Sequence, residues 1–272
     1  MNEPKGYFSG FDEIPLEIKP KLWGEGLPFY LAHDQKPETI VVCLHGYTAT
    51  PYEAKPIGKA CFELGMDAVG PLMPGHGYKD VSDQKKHLSA EMKVDNMLNA
   101  VRMEVQRARD HYNKVFLFGQ SMGGVLTLII AGEGLVDACA TTAPAIKLPF
   151  GSGLARYLLG WTDIYLADQG QAEDRDFINY SYPFVGAQSG KELHKLSMMA
   201  RKKLKNITCP VLECHSHNDG TIDPVVANWI ENNVSGPVQV NWYDESDHTM
   251  PLDVQGEEIS QDIAKFFDKL RK

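Results

Sequence analysis

A serine becomes a useful nucleophile only where a base can take its proton and donors can receive the negative charge that its attack creates. The stretch "KVFLFGQSMGGVLTLII", Lys114 to Ile130, sets Ser121 among Gly119, Gly123 and Gly124, where an apolar, strand-like run gives way to a helix-like one. Gly119-Gln120-Ser121-Met122-Gly123 therefore reads as a G-x-S-x-G elbow in strand-turn-helix context. Glycine at the flanks suits a sharp turn that strains the serine backbone and leaves no room for neighbouring side chains. A hydroxyl at a helix amino terminus also meets unpaired N–H groups and the positive end of the helix dipole.

The base is sought among nine histidines. His248, in "NWYDESDHTM", follows the last strand-like run, where a loop can turn back toward Ser121. His45 in "LHGYTAT" and His76 in "MPGHGYKD" also follow strands, but both precede Ser121 and read as loop-shaping residues near the site. The acid that fixes the imidazole tautomer is best supplied by Asp219 in "CHSHNDGTIDP", after the penultimate strand. Asp223 is its main rival, although standing before Pro224 it resembles a helix cap. Asp247 adjoins His248 in sequence, where side chains seldom meet with triad geometry.

Two backbone N–H groups complete the chemistry as candidate oxyanion donors. Met122 offers one at the helix start, and "HGYTAT" offers another from Tyr47. Donation through the backbone leaves both side chains free. "CPVLECHSH" invites a metal reading through Cys209, Cys214, His215 and His217, but strand alternation sends Cys214 and His215 to opposite faces and no second ligand pair is near. Neither a metal nor an organic cofactor is expected.

These residues need elements to hold them. "TIVVCL", "DAVGPL", "KVFLFG", "VDACATT", "CPVLECH" and "PVQVNWY" read as strands, several of them apolar at consecutive positions as in strands covered on both faces. Helical stretches intervene: "YEAKPIGKACFELG", "AEMKVDNMLNAVRMEVQRARDHY" with Val94, Leu98, Val101 and Val105 in phase, and "SMGGVLTLIIAGEG". A terminal amphipathic helix carries Ile259, Ile263, Phe266, Phe267 and Leu270. The alternation predicts an α/β fold with a mostly parallel, doubly wound sheet. It lapses between Pro144 and about Asn206, where Phe150, Tyr157, Leu158, Leu159, Trp161 and Tyr165 mix with glycines and charges. We expect a core from residues 1–143 and 207–272 with a cap inserted at 144–206, walling a substrate pocket at the carboxyl ends of the strands.

The chain has 272 residues, 43% of them hydrophobic and 23% charged, enough apolar material for one large α/β unit. A net charge of −9 without a basic stripe argues against nucleic acid and against tight docking to anionic lipid. No run of roughly 18 apolar residues suggests a membrane span. The opening "MNEPKGYFSGFDEIPLEIKP" lacks the basic start and apolar run of an export signal. The five cysteines read as reduced core residues, and a cytoplasmic protein is expected.

On "CLHGYTAT", "PLMPGHG", "GQSMGGVL", "SHNDGTIDP" and "WYDESDHTMPLD", in that order, the chain resembles the α/β-hydrolase superfamily, and within it the small capped bacterial carboxylesterases and monoacylglycerol lipases. The resemblance runs from about Thr39 to the end of the chain. It implies Ser121 as nucleophile, His248 as base, Asp219 as acid, Tyr47 and Met122 as oxyanion donors, and a small neutral ester of short to medium acyl length, or a monoacylglycerol, as substrate. A serine at the elbow separates the chain from dehalogenases and epoxide hydrolases of that fold, which use a carboxylate. C–C bond hydrolases, peptidases and thioesterases share such a triad, and some proteins keep the fold only to bind ligands.

Overall fold

The computed structural model describes residues 14–148, 162, 164–167 and 178–271. Seven strands form the main sheet: β1 (Phe29–Leu31), β2 (Thr39–Leu44), β3 (Asp67–Gly70), β4 (Lys114–Gln120), β5 (Ala138–Thr142), β8 (Val211–Ser216) and β9 (Val238–Tyr243). Their order is β1-β3-β2-β4-β5-β8-β9, with only β1 antiparallel to its neighbour. The six expected strands are present. β1 adds a short edge from a stretch that is too brief to show alternation.

Period-two alternation divides the apolar side chains between two cores. Val42, Leu44, Val115 and Leu117 face a core closed by α3 (Val94–His111), α4 (Met122–Ala131), α5 (Ala187–Lys203) and α6 (Val225–Asn233). Val41, Cys43, Phe116 and Phe118 face the other, closed by α1 (Lys55–Glu63) and α7 (Gly256–Arg271). The terminal helix buries Ile259, Ile263 and Phe267, with Phe266 and Leu270 packed at the margin. Strands covered on both sides explain why their sequences are apolar without interruption.

The long helical stretch expected before β4 is two helices, α2 (Val81–Glu91) and α3, separated at Met92 and Lys93. At about 100° per residue, Leu88 and Met92 point nearly opposite to Met97, Leu98 and Val101 on one straight helix. The break lets both sets reach the same core.

From the insertion, the described part comprises β6 (Tyr165–Ala167), paired antiparallel with β7 (Phe184–Gly186), and then α5. Phe150, Tyr157, Leu158, Leu159 and Trp161 lie outside the described residues. Tyr165 shares its hydroxyl with Ser89 Oγ of α2, at 2.5 Å, and so ties the small hairpin to the main body. Among the described residues, no helix is long and apolar enough to cross a membrane.

The chain leaves β2 toward β3 on one side and returns to β4 on the other. That reversal opens a crevice at the carboxyl ends of β2 and β4, the usual place for a ligand in an open α/β sheet.

Candidate active site

Ser121 sits at this crevice, between the end of β4 and the start of α4. Its backbone has φ 52° and ψ −109°, a region a serine avoids. The turn is held by Ser121 N–H donating to Thr142 O at 2.9 Å and by Ala145 N–H donating to Ser121 O at 3.2 Å. Steric closeness explains the glycines: a Cβ on Gly119 would lie 2.2 Å from the Gly123 carbonyl, and one on Gly123 would lie 2.4 Å from Leu44 O. Among the described residues, Thr48, Ser121 and Ala143 are the non-glycine residues with positive φ. They stand beyond the ends of three neighbouring strands, so backbone strain of about 1–3 kcal/mol each gathers at one edge of the sheet.

His248 reaches Ser121 from the loop after β9. Its Nε2 is 2.9 Å from Ser121 Oγ, and its Nδ1 is 2.9 Å from Asp219 Oδ2. With Nδ1–H donating to the carboxylate, Nε2 presents a lone pair to the serine hydroxyl. Asp219 is fully buried at its side chain, and its Oδ1 accepts the N–H groups of Thr221 and Ile222, each at 2.8 Å. Burial pushes this carboxyl up, but the charge and hydrogen bond of His248 and the two backbone donors outweigh it, leaving the pKa below the usual carboxylate range.

Two residues fix the histidine loop through contacts the sequence did not reveal, one of them Asp247, weighed there only as a rival acid. Gln120, inside the elbow, donates Nε2–H to His248 O at 2.6 Å while its Oε1 accepts from Thr142 Oγ1. Asp247 Oδ1 accepts from Gly220 N–H at 3.0 Å and from His248 N–H at 2.7 Å, clasping the acid loop to the histidine loop. Asp247 thus does not face the imidazole, and Asp223 is spent on Val225 N–H and Lys147.

The two backbone N–H groups expected as donors lie on the neighbouring loops. Met122 is the first residue of α4, so its N–H has no partner within the helix. Gly46 comes beside Ser121: a Cβ there would lie 3.5 Å from Ser121 Cβ. Its N–H donates to buried Glu53 Oε2 at 2.6 Å. His45 Nε2 accepts from Met73 N–H at 3.0 Å, which assigns the proton to Nδ1, 2.8 Å from Gly46 O. A planar trans peptide then turns Tyr47 N–H away from His45. The sequence reading left the Tyr47 side chain free, but its hydroxyl accepts Gly186 N–H at 3.0 Å and lies 2.7 Å from Ser189 Oγ, joining β2's loop to the end of β7 and to α5.

His45 and His76 are both buried, with ring centroids 5.1 Å apart, and neither touches the serine hydroxyl. Cys214 packs in the core beside Tyr243, while His215 bonds Glu213. Among the described residues, no three His, Cys, Asp or Glu side chains gather to hold a metal ion.

A mostly parallel sheet of this order, carrying a strained serine on its strand-turn-helix elbow, defines an α/β-hydrolase. More particularly, the chain belongs to the hydrolase family described as serine aminopeptidase, S33, whose model matches residues 35–172. It is 27% identical over 241 residues to a thermostable monoacylglycerol lipase of Bacillus sp. (strain H-257), covering 84% of this chain and 90% of the relative. It is 24% identical over 235 residues to a carboxylesterase of Bacillus subtilis (strain 168), covering 85% and 92% respectively. Among solved structures, one from the metagenome-derived lipolytic enzymes LipS and LipT superposes with a TM-score of 0.82 at 20% identity, over 91% of this chain and 99% of that one.

Proposed function

We propose that this chain hydrolyses neutral carboxylic esters, of short to medium acyl length or monoacylglycerols, through an acyl-enzyme on Ser121. The observation that carries the reading is the hydrogen-bonded series Ser121 Oγ, His248 Nε2, His248 Nδ1, Asp219 Oδ2, with 2.9 Å at each bond, set on the elbow. The names of its carboxylesterase and monoacylglycerol lipase relatives support the ester class.

Ser121 Oγ attacks the ester carbonyl carbon as its proton passes to His248 Nε2. The carbonyl oxygen becomes an oxyanion held by the N–H groups of Met122 and Tyr47. Collapse breaks the C–O bond, and His248 gives its proton to the departing alcohol. Water then attacks the acyl carbon as His248 takes its proton, and the second collapse releases the acid and returns the proton to Ser121. Asp219 stays ionised and stabilises the imidazolium in each half.

The β6–β7 hairpin and the start of α5 act as part of a cap over this crevice, a role supported by the attachment of Gly186 and Ser189 to Tyr47, whereas the body of α5, expected in the cap, packs Leu193, Leu196 and Ala200 into the core of the sheet. Five cysteines without a disulfide and the net negative charge support a cytoplasmic protein without a nucleic-acid partner. The test is hydrolysis of p-nitrophenyl acetate, butyrate, octanoate and palmitate by the wild type and Ser121→Ala, beside an acyl thioester and an aminoacyl arylamide. Ester turnover that vanishes in the variant, fastest on the shorter chains, supports the reading. Turnover confined to the arylamide points to peptidase chemistry and overturns it.

A further inference from the structure

A second carboxylate and imidazole lie next to Asp219. Glu213 and His215 alternate along β8, leave the same face of the strand, and are completely buried. His215 Nδ1 is 2.9 Å from Glu213 Oε1. At the other end of the ring, Nε2 is 3.3 Å from Ile222 O and 3.7 Å from Asp219 Oδ2. Glu213 Oε2 in turn accepts the hydroxyl hydrogen of Thr141 on β5.

With Glu213 ionised, each partner of either ring nitrogen is an acceptor; burial raises the Glu213 carboxyl, opposed by the hydrogen bond and charge of His215 and by the Thr141 hydroxyl. A neutral imidazole owns one N–H and one lone pair. Either tautomer would therefore turn a lone pair onto a carboxylate or a carbonyl in a dry interior, where an opposed pair is costly. A second ring proton removes the conflict at both ends. The geometry points to His215 as a buried imidazolium clamped between Glu213 and Asp219, a positioning residue that holds the charge of the acid facing His248.

This inference rests on the proposed roles of Asp219 and His248. The other charged groups around the ring are accounted for. Asp223 is paired with Lys147 at 2.8 Å, and His248 lies across Asp219. Trp242 of β9 closes the remaining side, with its ring centroid 6.1 Å away. Burial by itself would lower the pKa of His215, but the hydrogen bond and charge of Glu213, the charge of Asp219 and the Ile222 carbonyl outweigh it and leave it raised.

A cation beside Asp219 offsets part of the carboxylate field that acts on His248. His215→Gln keeps an N–H donor and removes the charge, and we expect it to raise the acid-limb pKa of kcat/KM by roughly 0.5–1 pH unit. A filler of the core would lower turnover and leave the limb where it was.

The experiment has two arms. In the wild type labelled with ¹⁵N-histidine, with His215 assigned by its loss in His215→Gln, both ring nitrogens should carry protons from pH 5 to 8; one unprotonated nitrogen overturns the inference. In the pH profiles, an unmoved acid limb in folded His215→Gln overturns it as well. Absence of ester turnover in the wild type would count against the ester reading alone, because the ring nitrogens report His215 without any substrate.

Discussion

In the proposed reaction the reactivity of Ser121 depends on His248, and that of His248 depends on Asp219. Ser121→Ala should remove ester turnover, and Asp219→Asn should lower kcat on the order of 10⁴-fold because the wrong imidazole tautomer then faces the serine. Glu53 belongs to the same scale. Its buried carboxylate takes the Gly46 N–H and so orients the loop that offers Tyr47 N–H. Glu53→Gln should lower kcat roughly 10- to 100-fold with little change in KM, since a misaimed oxyanion donor acts on the transition state. Steady-state kinetics on p-nitrophenyl butyrate checks all three. The residues that meet at the crevice were legible because each follows a strand: Ser121 after β4, Asp219 after β8, His248 after β9. Glu53 was not, since a glutamate in "PYEAK" has no pattern of its own and acts only because the chain folds back onto Gly46. The contacts of Gln120 and Asp247 were hidden for the same reason, their partners lying on other strands and loops.

Elements carry the site through close approach. Gly123 sits where α4 crosses the end of β2, and Gly123→Ala would press a methyl group onto backbone at Leu44 that cannot yield. We expect a loss of about 3 kcal/mol or more, measured as a fall in the urea midpoint, together with loss of activity. Tyr47 links β2's loop to the end of β7 and to the first turn of α5, by one hydrogen bond each. Tyr47→Phe should leave the Tyr47 N–H in place yet raise KM for longer acyl chains more than for acetate, read from kinetics across the ester series. Most strands could be read from their apolar runs, because burial on both faces erases every other signal. The division of α2 from α3 could not, since it follows from where the core lies rather than from helix propensity. β1 was missed because three residues cannot establish a period.

For the whole molecule, the buried histidines set the response to acid. Burial lowers the pKa of His76 to about 4, despite the Pro74 and Met73 carbonyls and Glu91, and takes His45 well below its ordinary value, with His76 adding to the effect. Each is neutral when folded and gains a proton when unfolded as pH falls below about 6.5. Their contribution is complete above that pH and is lost as pH falls through the folded pKa, for His76 on the order of 3 kcal/mol between pH 6.5 and 4. His215, raised, works in the opposite sense and holds its contribution at low pH. We expect the urea midpoint to fall from pH 7 to pH 5, and to fall less in His76→Gln. Activity concerns a different set of atoms, and its most direct test is the intact mass of the protein after exposure to a fluorophosphonate, with peptide mapping of the product. One adduct on Ser121, formed by the wild type and greatly slowed in His248→Ala, is the result we predict. Folded wild-type protein that takes up no adduct, or takes it elsewhere, would contradict Ser121 as the nucleophile.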